Sequence, residues 1–343
     1  MASRLKDIAE HLGVSVITVS KVLRDHPDIS AETRERVWKR VREVNYRPNI
    51  AARALVTGKS MSVGFIVPDL MHAFFSEVAG GLSRVLRTKG YGLLISSSEE
   101  DTDLEQQEVS QMLARGVDAL VIASAQGSVE SFQEIEDRKV PYVLIDRKME
   151  ALGASFVGTD DEAAGLMATE HLIDVGCRRI AHIRGANVST AEGRVAGYRA
   201  ALARHGLPMP DDYVVYQGVS DNAGEIRGYR AMQELLRRDP RPDGVFCFND
   251  PGAMGAMLAI LESGLRVPED IAVIGCGNVR YAPFLRIPLS TIDQSSVSMG
   301  EEAARLALAH IEAKTLVEPS TRLLPPKLVR RASTDRGAAI SGL

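Results

Sequence analysis

Cysteine is scarce in this chain. Its 343 residues hold three, Cys177, Cys247 and Cys276, widely spaced, with no Cys-x-x-Cys and no histidine pair nearby. An odd, scattered set of this kind supports neither a disulfide framework nor a zinc site. Long hydrophobic runs are missing too: no stretch approaches the roughly 18 apolar residues of a membrane helix. The opening Met1-Ala-Ser-Arg-Leu-Lys-Asp7 becomes charged before an export signal could develop, so a cytoplasmic location is expected. There is no Gly-x-Ser-x-Gly elbow, no complete phosphate-binding loop and no His-Glu-x-x-His, which removes the commonest hydrolase, nucleotide-hydrolysing and zinc-peptidase signatures. Gly275-Cys-Gly277 follows an apolar run as a dinucleotide loop would, but position 280 is Arg and Tyr281-Ala-Pro283 does not read as a helix start. The chain is therefore not expected to be an enzyme or to carry a cofactor.

No sign of charge dominates overall, the formal net charge being −4. At about 150 residues per domain the length argues for two or three domains, and 45% hydrophobic with 25% charged residues is an ordinary globular composition. The charge is unevenly placed. Residues 1–60 carry 12 Lys and Arg against 7 Asp and Glu, a net +5, and the rest carries 29 against 38, a net −9. A basic head on an acidic body suggests a nucleic-acid-binding part joined to one with another task.

In the head, Leu5, Ile8, Ala9 and Leu12 form the stripe of a short amphipathic helix that Gly13 stops. Ser15 can cap a second helix whose inward stripe is Val19, Val22 and Leu23. Two short helices across a Gly-containing turn are the sequence form of a helix-turn-helix, whose second helix enters the major groove. The outward positions are then Val16, Ile17, Ser20 and Lys21. Exposed Val16 and Ile17 suit thymine methyl groups, and Lys21 suits guanine or phosphate; a helical pair packed elsewhere fits the same stripe equally well. A third helix is expected from Ser30, with Val37, Val41 and Val44 inward and Trp38, the single tryptophan, padding the core. After Pro48, residues 50–56 read either as a linker or as a two-turn helix too short to be stable without a partner. In the second case Leu55 can wedge between base steps in the minor groove while Arg53 meets phosphate.

Asp7-Ile-Ala-Glu, Gly13-Val-Ser, Thr18-Val-Ser-Lys-Val-Leu23, Ile29-Ser, Thr33-Arg, Val37, Tyr46-Arg-Pro-Asn49, Ala52-Arg-Ala-Leu55 and Gly58 carry these features at fixed spacings. Together they resemble the headpiece and hinge of the lactose/galactose/purine repressor (LacI/GalR) family. The resemblance implies that Val16, Ile17 and Lys21 read half of a pseudo-palindromic operator. It also implies that paired hinge helices open the central minor groove with Leu55. Lys21 stands where the family often has arginine, and so lacks the bidentate fork.

From Ser62 short apolar runs alternate with helical stretches. The runs are 63–67, 93–95, 119–122, 142–145, 180–183, 244–247, 271–274 and 289–292, with helices at 77–86, 162–174, 195–204 and 253–261 among those between. This is βαβ architecture with parallel sheets, and about 270 residues are enough for two sheets with a cleft between them. The body, as far as Val329-Arg-Arg-Ala-Ser333, resembles the regulatory part of the same family, which is similar to bilobed periplasmic sugar-binding proteins. The expected fold is thus a small all-α headpiece (1–47) with a hinge (48–60), followed by a type I bilobed α/β body. One lobe is expected at 61–160 plus 291–320, the other at 161–290 plus 321–333, and a disordered tail at 334–343. The tail is too short for a leucine-heptad segment, so a homodimer is expected.

Ligands of such sheets bind beyond the strand carboxyl ends, which selects Phe74, Asp146, Arg184, Arg194 and Asn249 as cleft residues. Asp250, before Pro251, reads as a helix N-cap, and one of Phe74 and Phe75 as core. The resemblance assigns Asp146, Arg194, Asn249 and Thr190 to ligand contacts. Where relatives usually carry an aspartate for sugar hydroxyls, this chain has Gly277. Val219 follows Gly218 where an aromatic ring often stacks, and Arg184 replaces a small residue. A carboxylate lost and a cation gained favour an anion: a sugar acid or sugar phosphate is expected ahead of a neutral sugar. The partners expected are double-stranded operator DNA, this small-molecule effector and a second copy of the chain, with no membrane. An exported sugar-binding protein is the main rival, and it leaves the head unexplained.

Overall fold

The computed structural model describes residues 4–23, 25–46, 58–125, 129–216, 224–313 and 317–336. The chain divides into two compact units, 1–60 and 61–343.

In the first unit three helices, α1 (Leu5–Leu12), α2 (Val16–Leu23) and α3 (Ala31–Glu43), enclose a core of Ile8, Ala9, Val19, Val22, Val37 and Val41. Gly13 takes a left-handed conformation (φ 64°) that ends α1, and its lack of Cβ makes that backbone accessible. Ser15 Oγ accepts the Thr18 N–H at 3.0 Å to start α2, and Ser30 Oγ accepts the Thr33 N–H at 3.3 Å to start α3. Trp38 does not pad this core. One residue on a helix turns the side chain by about 100°, so with Val37 pointing inward Trp38 stays 38% exposed. The hinge positions Arg53 and Leu55 lie outside the described residues.

The second unit contains two six-stranded sheets. The first part of the chain runs β1 (Ser62–Val67), α4 (Ala73–Thr88), β2 (Gly92–Ser97), α5 (Thr102–Ala114), β3 (Ala119–Ile122), α6 (Glu130–Asp137), β4 (Tyr142–Ile145) and β5 (Ser155–Thr159). It crosses to the second sheet with α7 (Asp161–Asp174), β6 (Ile180–Arg184), α8 (Ser189–Arg204), β7 (Val214–Tyr216), α9 (Gly224–Leu235), β8 (Gly244–Cys247), α10 (Asp250–Glu262), β9 (Ala272–Cys276) and β10 (Ser290–Asp293). It returns with α11 (Ser296–Glu312) and β11 (Thr321–Leu324), and ends in the second sheet with β12 (Lys327–Val329). Strand orders are β11-β5-β4-β3-β1-β2 and β12-β10-β9-β8-β6-β7, parallel except for the antiparallel β10–β12 pair. Helices cover both faces of each sheet, so β3 and β8 are buried at every position, as parallel sheets require.

Two crossings fall a few residues later than the sequence reading places them. Thr291 and Ile292 pair with β9 and so belong to the second sheet, while Thr321 to Leu324 pair with β5 and belong to the first. β11 is an edge strand with its first three positions exposed, which leaves it no apolar pattern to read. The three cysteines are buried and unbridged, and burial pushes the Cys177 and Cys276 thiols up to about 12. Helices pack in close pairs through glycine. A Cβ at Gly197 on α8 would overlap the backbone of Glu162 on α7, and one at Gly165 on α7 would overlap the backbone of Arg194. That approach brings Arg194 to the start of α7.

Candidate functional site

In the head, α2 presents Val16 and Ile17 at 44% and 67% exposure, with Ser20 and Lys21 half-buried beside them. Lys21 is not an open donor. Its Nζ lies 2.5 Å from Asp28 Oδ2, and His26 Nδ1 lies 2.7 Å from Asp28 Oδ1. The Lys21 contact holds the Asp28 carboxyl below the ordinary carboxylate range. One of the three ammonium protons is engaged, and two are left for another acceptor. The loop carrying Asp28 is tied to α3 by Arg34, which donates to His26 O at 2.9 Å and pairs with Asp25.

In the body, polar side chains gather at the carboxyl ends of strands. Asp146 follows β4 in a left-handed conformation (φ 60°). Burial pushes its carboxyl up, opposed by Arg194 and Arg147. Arg147 is buried and places both terminal nitrogens 2.6 Å from the Glu100 carboxylate. Arg194 lies in the second turn of α8 rather than at the helix start. Its Nε donates to Asp161 Oδ1 at 2.9 Å, its Nη1 donates to Phe248 O at 2.6 Å, and the guanidinium sits 4.6 Å from the Phe248 ring centroid. Burial pushes the Asp161 carboxyl up to about 7 against the pull of Arg194. Arg184, at the end of β6, donates to Asn187 Oδ1 at 2.8 Å and lies 6.0 Å from the Tyr216 ring centroid. Thr190 is buried at the start of α8, and its hydroxyl has no partner among the described residues.

The N-cap of α10 is Asn249, not Asp250. Asn249 Oδ1 accepts the Gly252 N–H at 2.8 Å, which leaves its Nδ2 facing His72 Nε2 at 3.3 Å. Asp250 is the first helical residue and fully buried, accepting from Thr291 Oγ1 at 2.5 Å and from the Val279 N–H at 2.8 Å. Burial pushes its carboxyl up to about 6. Gly277 lies beside it at φ 135°, a conformation closed to most side chains. The oxygens of Asp250 are therefore occupied, and they do not replace the carboxylate that position 277 lacks. Phe74 and Phe75 both belong to the first-sheet core, where only one was expected; their centroids are 5.1 Å apart in an edge-to-face pair that His72 joins.

A model of bacterial regulatory proteins of the lacI family matches residues 4–49, and a periplasmic binding protein-like domain matches residues 169–334. Catabolite control protein A of Priestia megaterium is 31% identical over 331 residues, covering 96% of this chain and 98% of that protein. The HTH-type transcriptional repressor PurR of Yersinia pestis bv. Antiqua is 34% identical over 337 residues, 97% of each. The chain belongs to the LacI family of bacterial regulatory proteins. Within that family the solved Lac repressor dimer bound to operator and the anti-inducer ONPF has a TM-score of 0.84 at 28% identity, covering 97% of this chain and 99% of that one. The complex of the transcriptional regulator CelR with cellobiose has a TM-score of 0.73 at 29% identity, covering 96% and 99%. As a LacI-family member, the chain is a DNA-binding transcriptional regulator with a helix-turn-helix head and a bilobed periplasmic-binding-like body.

Several residues that hold the site together escape a sequence reading of this LacI-family chain. His72, Glu100, Arg147 and Asp161 all sit near strand ends or helix starts, as the chosen residues do. Arg147 next to Asp146 and Asp161 at the start of α7 were within reach of that rule. The pairing of Arg147 with Glu100, 47 positions apart, was not. Asp28 was hidden because nothing in the helical pattern shows which loop charge returns to α2.

Proposed function

We propose that this regulator acts as a homodimeric repressor in the cytoplasm, with α2 in the major groove of each operator half-site. Val16 and Ile17 then meet thymine methyl groups, while Ser20 and Lys21 reach base edges or phosphate. The observation that carries this reading is the exposure of two β-branched apolar side chains at the start of α2, where the other large apolar groups among the described residues of the head are mostly inside. Arg53 and Leu55 act in the hinge, as phosphate contact and minor-groove wedge. In domain terms, 1–47 is the headpiece, 48–60 the hinge and the two lobes together the effector sensor.

The effector lies between the lobes against Asp146, Arg184, Thr190, Arg194 and Asn249, with Phe74 behind His72. Among the described residues Arg147 Nε, Arg184 Nε and Gln294 Nε2 are buried donors without partners. A ligand rich in acceptor oxygens satisfies such groups, and together with Arg184 and Gly277 this supports a sugar acid or sugar phosphate. Solved relatives carry cellobiose and, in a regulator from Enterococcus faecium, ribose; an anionic effector would set this chain apart from them. Operator and effector must alter each other's affinity by the same factor.

Selection of operator DNA with purified protein, followed by a metabolite screen for changes in operator binding, tests the whole reading. Lys21→Ala is expected to relax preference at one operator position, worth about 1–3 kcal/mol. A uniform loss with a shallower salt dependence would make Lys21 a phosphate contact instead. Calorimetric titration with a neutral hexose, its 6-phosphate and its aldonic acid tests the effector class, and binding of the neutral sugar alone would reject an anionic one.

A further inference from the structure

Arg194 carries one positive charge, and the fold sets more than one acid against it. Asp161, the first residue of α7, lies closest: Arg194 Nε donates to Asp161 Oδ1 at 2.9 Å, and Nη2 is also 2.9 Å from that oxygen. Water scarcely reaches the pair, whose side chains are 3% and 13% exposed. The glycine at 193 makes room for it, since a Cβ there would fall 2.8 Å from Asp161 Cβ. Arg194 Nη1 donates to Phe248 O at 2.6 Å. Each terminal nitrogen still keeps at least one N–H for another acceptor.

The groups that face Asp161 oppose one another. Arg194 and the N-terminus of α7 favour its ionised form. Burial, Asp146 after β4 and Asp160, the N-cap of α7, favour the proton. The Cys276 thiol at the end of β9 also faces Asp161, and burial keeps it neutral. Among the described residues no donor is seated on Asp161 Oδ2, which leaves that oxygen for a proton. Arg194 thus acts on two carboxylates, Asp146 from the first lobe and Asp161 from the second. An anion brought to its remaining N–H groups adds a third negative charge there. A like charge favours the protonated form of a neighbouring acid.

We propose that Asp161 is a positioning residue of the effector cleft, which holds the Arg194 guanidinium by one edge and takes up a proton from solvent when an anionic effector binds. The proton settles on Oδ2, Oδ1 keeps the bond from Arg194 Nε, and the Arg194 charge passes to the effector. This inference rests on the anionic effector proposed above, and it makes the response depend on pH as well as on effector concentration.

Asp161→Asn separates the two duties, because its amide oxygen accepts from Arg194 Nε but exchanges no proton. Without ligand, urea denaturation should show the parent losing stability relative to Asp161→Asn as pH rises from about 4 to about 7, since the unfolded carboxyl releases its proton first. A difference independent of pH would overturn the proposal. Gluconate, ionised throughout the neutral range, is the binding probe for the full-length protein. Calorimetry in buffers of differing ionisation enthalpy should show the parent taking up about one proton per site at about pH 8. Its affinity should fall up to about tenfold per pH unit above about 7. Asp161→Asn should bind gluconate without proton uptake and with a flat pH profile, and Asp161→Leu should bind about tenfold more weakly than Asp161→Asn. Gluconate binding by the parent without proton uptake, a pH profile unchanged in Asp161→Asn, or equal binding by the Asn and Leu variants would overturn the assignment and leave the anionic effector standing. No binding of either gluconate or glucose 6-phosphate by the parent would overturn the anionic effector and this inference with it.

Discussion

His72 joins the two lobes through one side chain. Its Nδ1 caps α4 by accepting the Phe74 N–H at 3.3 Å, so Nε2 carries the ring proton and touches Asn249 Nδ2 of the other lobe at 3.3 Å as a contact between two donors. Burial lowers its pKa from 6.5 to about 4; Asp69 and Glu100 oppose that shift, and Arg147 and Arg194 add to it. A histidine whose folded pKa lies below its unfolded value costs stability as the unfolded chain takes up protons first. The wild type should therefore lose stability relative to His72→Gln as pH falls from about 6.5 to about 4, by at most about 3 kcal/mol, with no change above that window. Urea denaturation of both proteins across this range measures the difference, and a gap independent of pH would remove His72 from the account. Asp146 and Asn249 were legible as site residues because strand ends can be read from apolar runs. Their partners were not, since the chain brings His72 to Asn249 across 177 positions.

Helices in the body approach one another through reciprocal glycines: Gly81 with Gly300, Gly165 with Gly197, and Gly228 with Gly255. In each pair an added Cβ would overlap backbone of the facing helix, which no rotamer change can relieve. Gly197→Leu should cost about 3 kcal/mol or more in stability through overpacking. It should also weaken effector binding by moving Arg194 away from Asp161. Thermal melting and ligand titration together check this, and a variant that melts and binds like the parent would show that α7 and α8 need no close approach. The central strands were readable because burial on both faces selects continuous apolar runs, as in Ala119 to Ile122. β5, β7, β11 and β12 were missed, being short, mixed in composition or at a sheet edge. Their strand character comes from the neighbours they pair with.

The body leaves large apolar groups exposed on β2 and beside β1 (Leu94, Ile95, Leu70 and Met71) and on the second lobe (Ile226, Leu258, Leu261 and Phe284). No described helix is long and apolar enough to cross a membrane. A second copy of the chain is the partner that such surfaces fit in a homodimer. Ile95→Asp should shift the protein toward monomer in sedimentation velocity and weaken operator binding by at least about tenfold, because two linked heads bind far better than one. A dimer unaffected by the substitution would place the interface elsewhere. The division of charge noted in the sequence fits this organisation: the +5 belongs to residues 1–60, which form their own unit, and the −9 to the body.

The sequence by itself determined what depends on near neighbours: helix stripes, the caps at Ser15 and Ser30, the stop at Gly13, the central strands and the family pattern of the head. These follow from periodicity and from hydrogen bonds a few residues long. Only the tertiary structure decided what depends on distant segments meeting. It turned Trp38 outward, gave the α10 cap to Asn249 and buried Asp250 behind Gly277. It also set Asp28 against Lys21. The energy of such contacts depends on burial and on distances of a few ångströms, and neither is written in the order of residues until the chain has packed.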